Sequence, residues 1–334
     1  MGVLIDGEWR EEPAGKGSSG EFVRQASQFR DRISADGSSG FPAVAGRYHL
    51  FVSRACPWCH RTMILRILKR LEKIISISYV EPAMLEHGWS FAQPDSLTGA
   101  RHVYELYSQA DPLFTGRATV PVLWDKETNT IVNNESSDIL RMFNSEFDDL
   151  THELTNYYPD ALAGEIDEVN GRIYETVNNG VYRAGFATSQ KAYETAVAQL
   201  FGSLEWLERR LTFQRYLIGD LLTEADWRLF PTLVRFDAVY YGHFKCNLRH
   251  VYEFPALWGY TRELYQMPGI AQTVSLEEYK AHYYGSHRKL NPSGIIPVGP
   301  HLDFSTPHDR RVAPPEVEDD SPTGQVPTLN ENMG

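Results

Sequence analysis

Two cysteines lie between a strand-like run and an amphipathic helix, in the segment Ala55-Cys56-Pro57-Trp58-Cys59-His60-Arg61. The preceding run, Tyr48–Val52, is aromatic and β-branched, which is typical of a strand. The following residues repeat their apolar side chains with helical spacing, at Met63, Ile64, Ile67, Leu68 and Leu71. This order of strand, cysteine and helix predicts that Cys56 stands at the N-terminus of a helix.

The predicted position of Cys56 favours the thiolate form of its side chain. Free amide groups and the positive end of the helix dipole stabilise an anion at a helix N-terminus. We therefore expect the pKa of Cys56 to lie below that of a free thiol. Pro57 suits the first helical turn, because its missing N–H would have no partner there. Cys59 lies one turn further in and is predicted to be the poorer nucleophile.

Other chemistries use the same spacing of cysteines. The run Cys56-Pro57-Trp58-Cys59-His60 also satisfies the pattern for covalent haem attachment, and a cysteine pair can hold zinc. Haem attachment needs an exported chain, and the sequence starts without a basic region followed by an apolar stretch. A closed zinc site needs four ligands, but the only other cysteine, Cys246, is far along the chain beside His243. A reactive redox thiol is the favoured interpretation, with buried structural cysteine, metal and haem as its alternatives.

Length, charge and cysteine content limit the class of protein. The chain has 334 residues and a mass of 38.1 kDa, enough for two domains with separate cores. Its formal net charge of −12 disfavours nucleic acid and anionic membranes as partners. No apolar run approaches the length of a membrane span. Three cysteines and the lack of a signal peptide predict a reducing, cytoplasmic location.

Both ends of the chain are rich in residues that disfavour a packed fold. Residues 1–45 carry several glycines among serines and charges, which predicts an extended N-terminal arm. Residues 291–334 are predicted to form a C-terminal tail that is rich in proline and acid, above all from Pro314 onward. We therefore expect the folded domains to lie between these two segments.

A second landmark is a hairpin signal, Thr119-Val120-Pro121-Val122-Leu123-Trp124-Asp125, followed by a polar turn and Ile131-Val132. Proline within a strand is restricted to edges or to special peptide bonds. Extended backbone at Val120 offers N–H and C=O groups to which a bound peptide can add as a further strand. The hairpin is therefore a candidate binding edge.

A helix start with capping residues follows, at Asn133-Asn134-Glu135-Ser136-Ser137-Asp138. Free amides there, with the Ser136 hydroxyl, suit a carboxylate, and the Glu135 carboxylate suits an ammonium group. Together they are a candidate site for the γ-glutamyl end of glutathione, whose central backbone would pair with Val120 and whose sulfur would meet Cys56. The alternative is an ordinary capped helix. The sequon at Asn134 would not be used in a cytosolic chain.

Six segments in order resemble the glutathione transferase superfamily and, more narrowly, the glutathionyl-hydroquinone reductases, also called xi-class transferases. They are Cys-Pro-Trp-x-His-Arg, Val-Pro-Val-Leu-Trp-Asp, Ile-Val-Asn-Asn-Glu-Ser, Glu-Ala-Asp-Trp-Arg-Leu-Phe, Val-Arg-Phe-Asp and Gly-His-Phe-Lys-Cys-Asn. The resemblance implies an α/β plus all-α fold. Its parts are a thioredoxin-like, glutathione-binding domain over residues 46–150 and an all-helical substrate domain over residues 155–290. The family also suggests a homodimer.

The helical domain contains residues with an evident structural role and others without one. An amphipathic core helix is predicted from Val197, Leu200, Phe201, Leu204, Leu207 and Leu211. Asp226 is interpreted as a helix cap. Three tyrosines stand in glycine-flanked polar stretches, namely Tyr182, Tyr240 and Tyr283. The usual role of a tyrosine is nevertheless to pack in the core or to lie on the surface. The resemblance implies Tyr182 as proton donor to the leaving quinol, with Tyr240 and Tyr283 bonded around the sulfur or substrate.

The same resemblance implies a cis peptide bond at Pro121, facing the cysteine, and implies that Trp89 and Arg117 help to hold glutathione. The mechanism it implies is reductive deglutathionylation through a mixed disulfide between Cys56 and glutathione, with glutathione as co-substrate and with neither metal nor nucleotide. Aromatic residues near the predicted site could accept a flat ring, with simple packing as the alternative, and they include Trp58, Phe186 and Tyr241. The physiological quinone does not follow from any of these residues.

One position departs from the family pattern, because Cys59 stands where most members have alanine. Cys59 could resolve the mixed disulfide, or it could be a buried bystander, which is the favoured interpretation. The first alternative function is a glutaredoxin-like or omega-like thiol transferase, or a dehydroascorbate reductase, that uses Cys56 and Cys59. The second is a non-catalytic binding protein with a transferase fold.

Overall fold

The computed structural model of the protein describes residues 2–11 and 20–310. Two short strand pairs precede the main sheet. An antiparallel pair is formed by β1 (Val3–Ile5) and β2 (Glu8–Arg10), and a parallel pair by β3 (Ile33–Ser34) and β4 (Phe41–Pro42). Part of the predicted N-terminal arm is thus paired into short strands. Residues 12–19 of the arm, and residues 311–334 of the predicted tail, lie outside the described residues.

The first domain is built on a mixed four-stranded sheet. Its strands are β5 (Tyr48–Val52), β6 (Ser76–Tyr79), β7 (Val122–Asp125) and β8 (Thr130–Asn133). They lie in the order β6-β5-β7-β8; β5 is parallel to β6, and the other two neighbouring pairs are antiparallel. The predicted strand before the cysteines and the predicted hairpin are both confirmed. The helices of this domain are α1 (Pro57–Leu68), α2 (Val103–Ala110), α3 (Ser136–Ser145) and α4 (Asp148–Thr151).

The second domain is all-helical. Its helices are α5 (Ala163–Ile173), α6 (Gly180–Gly185), α7 (Gln190–Phe213), α8 (Glu224–Arg235), α9 (Tyr241–His243), α10 (Pro255–Gln266) and α11 (Leu276–Ser286). Short 3₁₀ turns lie at Leu71–Lys73, Asp160–Leu162, Val251–Glu253 and Ala271–Thr273. The predicted class, a thioredoxin-like domain followed by a helical domain, is confirmed.

Two π-helical turns, at Tyr174–Asn178 and Phe236–Tyr240, interrupt the helical domain. A π turn inserts a residue into the helical repeat and often marks a functional site. The first turn leads into the helix that carries Tyr182, and the second ends at Tyr240. Neither turn was predicted from the sequence, because both segments have ordinary helical composition.

Two structural assignments made from the sequence are confirmed in the helical domain. The apolar face of α7 is buried from Val197 to Leu211. Asp226 and Thr223 form a capping box at the start of α8, and Asp226 also accepts hydrogen bonds from the Leu217 amide at 2.9 Å and the Tyr260 hydroxyl at 2.8 Å. Asp226 therefore anchors the α8 start to neighbouring segments. Among residues 2–11 and 20–310, no helix is long and apolar enough to cross a membrane.

Candidate active site

Cys56 occupies the N-cap of α1, directly before Pro57 at the first helical position. Its backbone is extended, with φ −75° and ψ 123°, as is usual for an N-cap residue. The sulfur lies 3.7 Å from the carbonyl oxygen of Val120, and the Val120-Pro121 peptide bond is cis. The predicted meeting of the cysteine with the start of the hairpin is confirmed by these contacts.

The surroundings of Cys56 hold its thiol close to ionisation at neutral pH. Burial raises the pKa of Cys56, but the Cys59 thiol and the backbone N–H groups of Cys59 and Trp58 donate to its sulfur, and the cationic Arg235 is nearby. Taken together, these effects lower the pKa of Cys56 to about 7. Cys59 is fully buried, and burial together with the neighbouring Cys56 raises its pKa well above the ordinary value. Cys56 is therefore the thiol of the pair that ionises more readily.

Arg235, at the last position of α8, is fully buried behind the cysteine loop. Its guanidinium donates to the carbonyl oxygens of Arg54 at 2.9 Å and Ala55 at 3.0 Å, the two residues before Cys56. It also donates to Nδ1 of His60 at 2.9 Å. In the described part of the chain Arg235 has no carboxylate partner. The helical domain thus supplies both the support of the loop and an unpaired positive charge next to the thiolate.

We expect Cys56 to ionise at a higher pH in the Arg235→Gln variant than in the wild-type protein. Wild-type Cys56 is a thiolate above a pKa of about 7, so alkylation by iodoacetamide should rise with pH through that value. Removal of the buried cation destabilises the thiolate, and the midpoint should move up by about one pH unit. The Arg228→Gln variant, which removes a cation paired with Glu224, serves as the control. An unchanged midpoint in a folded Arg235→Gln protein would show that the charge has no such effect.

A cavity of about 300 Å³ adjoins the Cys56–Val120 contact. Its wall contains Arg117, Val120, Pro121, Glu135 and Ser136, so the structure brings together all of the predicted glutathione ligands except Trp89. Trp58, one of the aromatic residues considered for a flat ring, lines the same cavity.

The Glu135 carboxylate has two roles in this cavity. One oxygen caps α3 by accepting from the Ser137 amide at 3.2 Å, and the other accepts from the Ser27 hydroxyl at 3.1 Å. Ser136 is buried, and its hydroxyl lies 3.5 Å from a guanidinium nitrogen of Arg61. The capped-helix interpretation is therefore correct for Glu135, and it is compatible with a ligand at the same helix start.

The three predicted tyrosines form one hydrogen-bonded cluster in the helical domain. The Tyr283 hydroxyl lies 2.5 Å from that of Tyr182 and 3.0 Å from that of Tyr240. Tyr240 and Tyr283 are fully buried, whereas Tyr182 is only partly buried. Burial raises the pKa of all three phenols. They are therefore protonated at neutral pH, and Tyr182 is the least buried of the three.

Glycine allows the helix that carries Tyr182 to pack closely. A Cβ atom at Gly185 would lie 2.2 Å from the ring of Phe244, too close for any side chain. The Phe244 ring stacks on the Tyr240 ring, with 5.6 Å between their centroids, and its centroid lies 5.4 Å from that of the Tyr182 ring. The glycine three residues after Tyr182 thus lets the aromatic rings come together.

Trp89 and the remaining candidate aromatic residues lie in other surroundings. Trp89 is buried and stacks on His282 at 4.7 Å, one residue before Tyr283. Phe186 packs against Phe244 at 5.1 Å, and Tyr241 stacks on His250 at 3.5 Å.

In the described residues no group of three or more histidine, cysteine or acidic side chains is placed to hold a metal ion.

Sequence reasoning missed two cations of this site, Arg235 and Arg24. Arg235 carries a signal that could have been used, since it interrupts the apolar run Leu229 to Phe236, and a charge within such a run is normally paired or functional. Arg24 lies in a polar segment of the N-terminal arm and carries no comparable signal. Its guanidinium lies 4.9 Å from the ring centroids of both Trp58 and Tyr182.

Models of two known domains match the chain. The N-terminal domain of glutathione S-transferase matches residues 55–146, and its C-terminal domain matches residues 190–263. Together with a thioredoxin-like sheet, a cysteine at the start of α1 and an adjoining helical domain, these matches define the class as glutathione transferase.

Individual relatives narrow the class. The chain is 53% identical to the glutathionyl-hydroquinone reductase YqjG of Escherichia coli (strain K12) over 325 residues, which cover 93% of this chain and 99% of YqjG. The glutathione-bound structure of YqjG matches with a TM-score of 0.87 at 51% identity, over the same shares of the two chains. The Xi class GST from Natrialba magadii matches with a TM-score of 0.87 at 49% identity, over 93% of this chain and 96% of that one. The chain belongs to the glutathionyl-hydroquinone reductases, the xi class of glutathione transferases.

Proposed function

We propose that the protein reduces glutathionyl-hydroquinones to hydroquinones with glutathione as co-substrate. The observation that carries this proposal is the proximity of one low-pKa thiol, Cys56, to a protonated phenol, Tyr182, whose pKa is raised by burial and by the charge of Cys56. The relative YqjG, which shares 53% of its residues with this chain, bears the name of this activity. A thiol transferase acting only on disulfides would have no use for the phenol.

The first step forms a sulfur–sulfur bond and breaks a carbon–sulfur bond. The Cys56 thiolate attacks the sulfur of the glutathionyl group, and the electron pair of the broken bond passes to the ring carbon. Tyr182 donates its proton to that carbon, which releases the hydroquinone. The products are the reduced ring, a Cys56-glutathione mixed disulfide and a Tyr182 phenolate that is reprotonated from solvent.

The second step regenerates the enzyme. A second glutathione, as thiolate, attacks the glutathione sulfur of the mixed disulfide, so that oxidised glutathione leaves and the Cys56 thiolate is restored. The low pKa of Cys56 makes it a good leaving group in this step as well. We place the glutathionyl group in the cavity, with Val120 pairing to its backbone, Glu135 and Ser136 at its γ-glutamyl end, and Arg117 as a further ligand. Trp89 lies outside this wall, against His282, and is not one of the ligands that we place here.

We propose that Cys59 takes no direct part in turnover. A resolving thiol must ionise, and burial raises the pKa of Cys59 well above its ordinary value. Its hydrogen bond to Cys56 gives it a supporting role instead. This argument opposes the glutaredoxin-like, omega-like and dehydroascorbate reductase alternatives that need both cysteines. The non-catalytic alternative is opposed by the activated state of Cys56.

The deciding experiment is turnover of glutathionyl-menadiol by the wild-type chain, compared with turnover of a glutathione mixed disulfide. We expect release of menadiol and oxidised glutathione in equal amounts, at a rate that depends on added glutathione. Turnover of the mixed disulfide without any menadiol release would replace the proposal with the thiol transferase function.

We also propose that the protein works as a homodimer in a reducing, cytoplasmic compartment. The dimer is supported by the xi-class membership, and the compartment by the three cysteines, which are all free thiols. Light scattering on the purified chain should give about twice its mass of 38.1 kDa.

A further inference from the structure

The described N-terminal segment that begins at Gly20 crosses from the helical domain to the thioredoxin-like domain. At one end the carbonyl oxygen of Gly20 accepts from the amide of Thr188 at 2.9 Å. At the other end the carbonyl oxygen of Phe29 accepts from the amide of Asn134 at 3.1 Å. Between these anchors the segment forms one wall of the cavity described above, through residues that include Arg24 and Ser27.

Arg24 is held in place within this wall. Its Nε group donates to Oδ1 of Asn179 at 3.0 Å, and its guanidinium lies over the rings of Trp58 and Tyr182 at 4.9 Å each. Neither terminal nitrogen has a hydrogen-bond partner among residues 2–11 and 20–310; Nη2 is buried, so Nη1 is the nitrogen left open to a ligand. A guanidinium that is positioned by packing, with N–H groups left over, is prepared for an acceptor that the chain itself does not supply.

The charges that line the cavity define that acceptor. Arg24 and Arg117 both line it, and neither forms an ion pair in the described part of the chain. Arg30 also lines it, but its guanidinium is bound to Asp138. Glu135 is the carboxylate on the wall. Two unpaired cations and one anion are the complement of glutathione, which carries two carboxylates and one ammonium group at neutral pH.

We infer that the N-terminal segment is part of the glutathione site and that Arg24 binds a carboxylate of the glutathionyl group. This inference rests on the proposed function only in its ligand, glutathione. The segment reaches Tyr182 and Trp58 as well, so a carboxylate bound by Arg24 sits beside the phenol that serves as proton donor. The arm therefore closes one side of the cleft between the two domains, and Arg24 recognises the negative charge of the glutathionyl group.

The test is binding to the full chain carrying Cys56→Ser, which prevents exchange at the sulfur. Quenching of tryptophan fluorescence is used to compare glutathione with glutathione diethyl ester, in which both carboxylates are masked. Arg24→Ala should weaken glutathione binding by about tenfold, since a charge-assisted hydrogen bond is lost. The same change should alter binding of the diethyl ester less than about twofold. Arg32→Ala, an exposed position of the same segment that does not line the cavity, is the matched control.

An equal loss for glutathione and for its diethyl ester would overturn the inference, because Arg24 would then act by packing on Trp58. So would unchanged glutathione binding. These results are separate from the proposed function, since no hydroquinone is turned over in the assay. If the protein binds glutathione through Arg24 but fails to release menadiol, only the proposed function is contradicted. If it releases menadiol but glutathione binding does not depend on Arg24, only the inference is contradicted.

Discussion

The Cys56→Ser variant should lose glutathionyl-menadiol turnover by on the order of 10³-fold or more. A serine hydroxyl at the same helix N-cap is not ionised near pH 7, whereas the wild-type thiol has a pKa of about 7 there. The variant also cannot form the mixed disulfide on which both steps depend. Steady-state release of menadiol, measured by chromatography, gives the rate, and mass spectrometry of the protein gives the glutathione adduct.

Cys59→Ala is the matched control for this prediction. It removes the hydrogen bond that helps to lower the pKa of Cys56, so the pH midpoint should rise and turnover at neutral pH should fall only several-fold, in line with one lost hydrogen bond. A loss in Cys59→Ala as large as that in Cys56→Ser would contradict the single-thiol mechanism and return Cys59 to the role of resolving thiol.

Tyr182→Phe should slow menadiol release by on the order of 10²-fold, while reduction of a glutathione mixed disulfide continues close to the wild-type rate. The phenylalanine keeps the ring under Arg24 but removes the proton that the leaving carbon requires. Disulfide exchange expels a thiolate, which needs no proton from the enzyme. Measuring both substrates on one preparation separates loss of the proton donor from a general loss of the site.

Tyr252→Phe is a suitable control, because Tyr252 is exposed and stands outside the tyrosine cluster. It should leave both activities unchanged. Equal losses of both activities in Tyr182→Phe would assign Tyr182 to binding or packing. Full retention of menadiol release would transfer the proton donation to another group, with solvent reaching the carbon as the simplest source.

Local patterns were sufficient to predict the elements that carry the site. A few neighbouring residues predict each of three elements: strand β5, the start of α1 at Cys56, and the hairpin with Pro121. Their spacing and their backbone restrictions are local properties of the chain. The capping role of Asp226 is of the same kind. The π turns before Tyr182 and at Tyr240 could not be predicted in this way, since an extra residue in a helix is set by packing against other segments rather than by propensity.

The sequence by itself determined a cysteine at a helix N-terminus and a hairpin. The transferase class and the meeting of these two elements followed from the resemblance carried by six ordered motifs. Tertiary structure alone decided which distant charges act on that cysteine and its ligand. Arg235 is 179 positions from Cys56 and Arg24 lies in a separate arm, so neither reveals its partner through spacing along the chain. Electrostatic effects depend on distance and burial in space, and only the packing of the helical domain and the arm against the cysteine loop defines both.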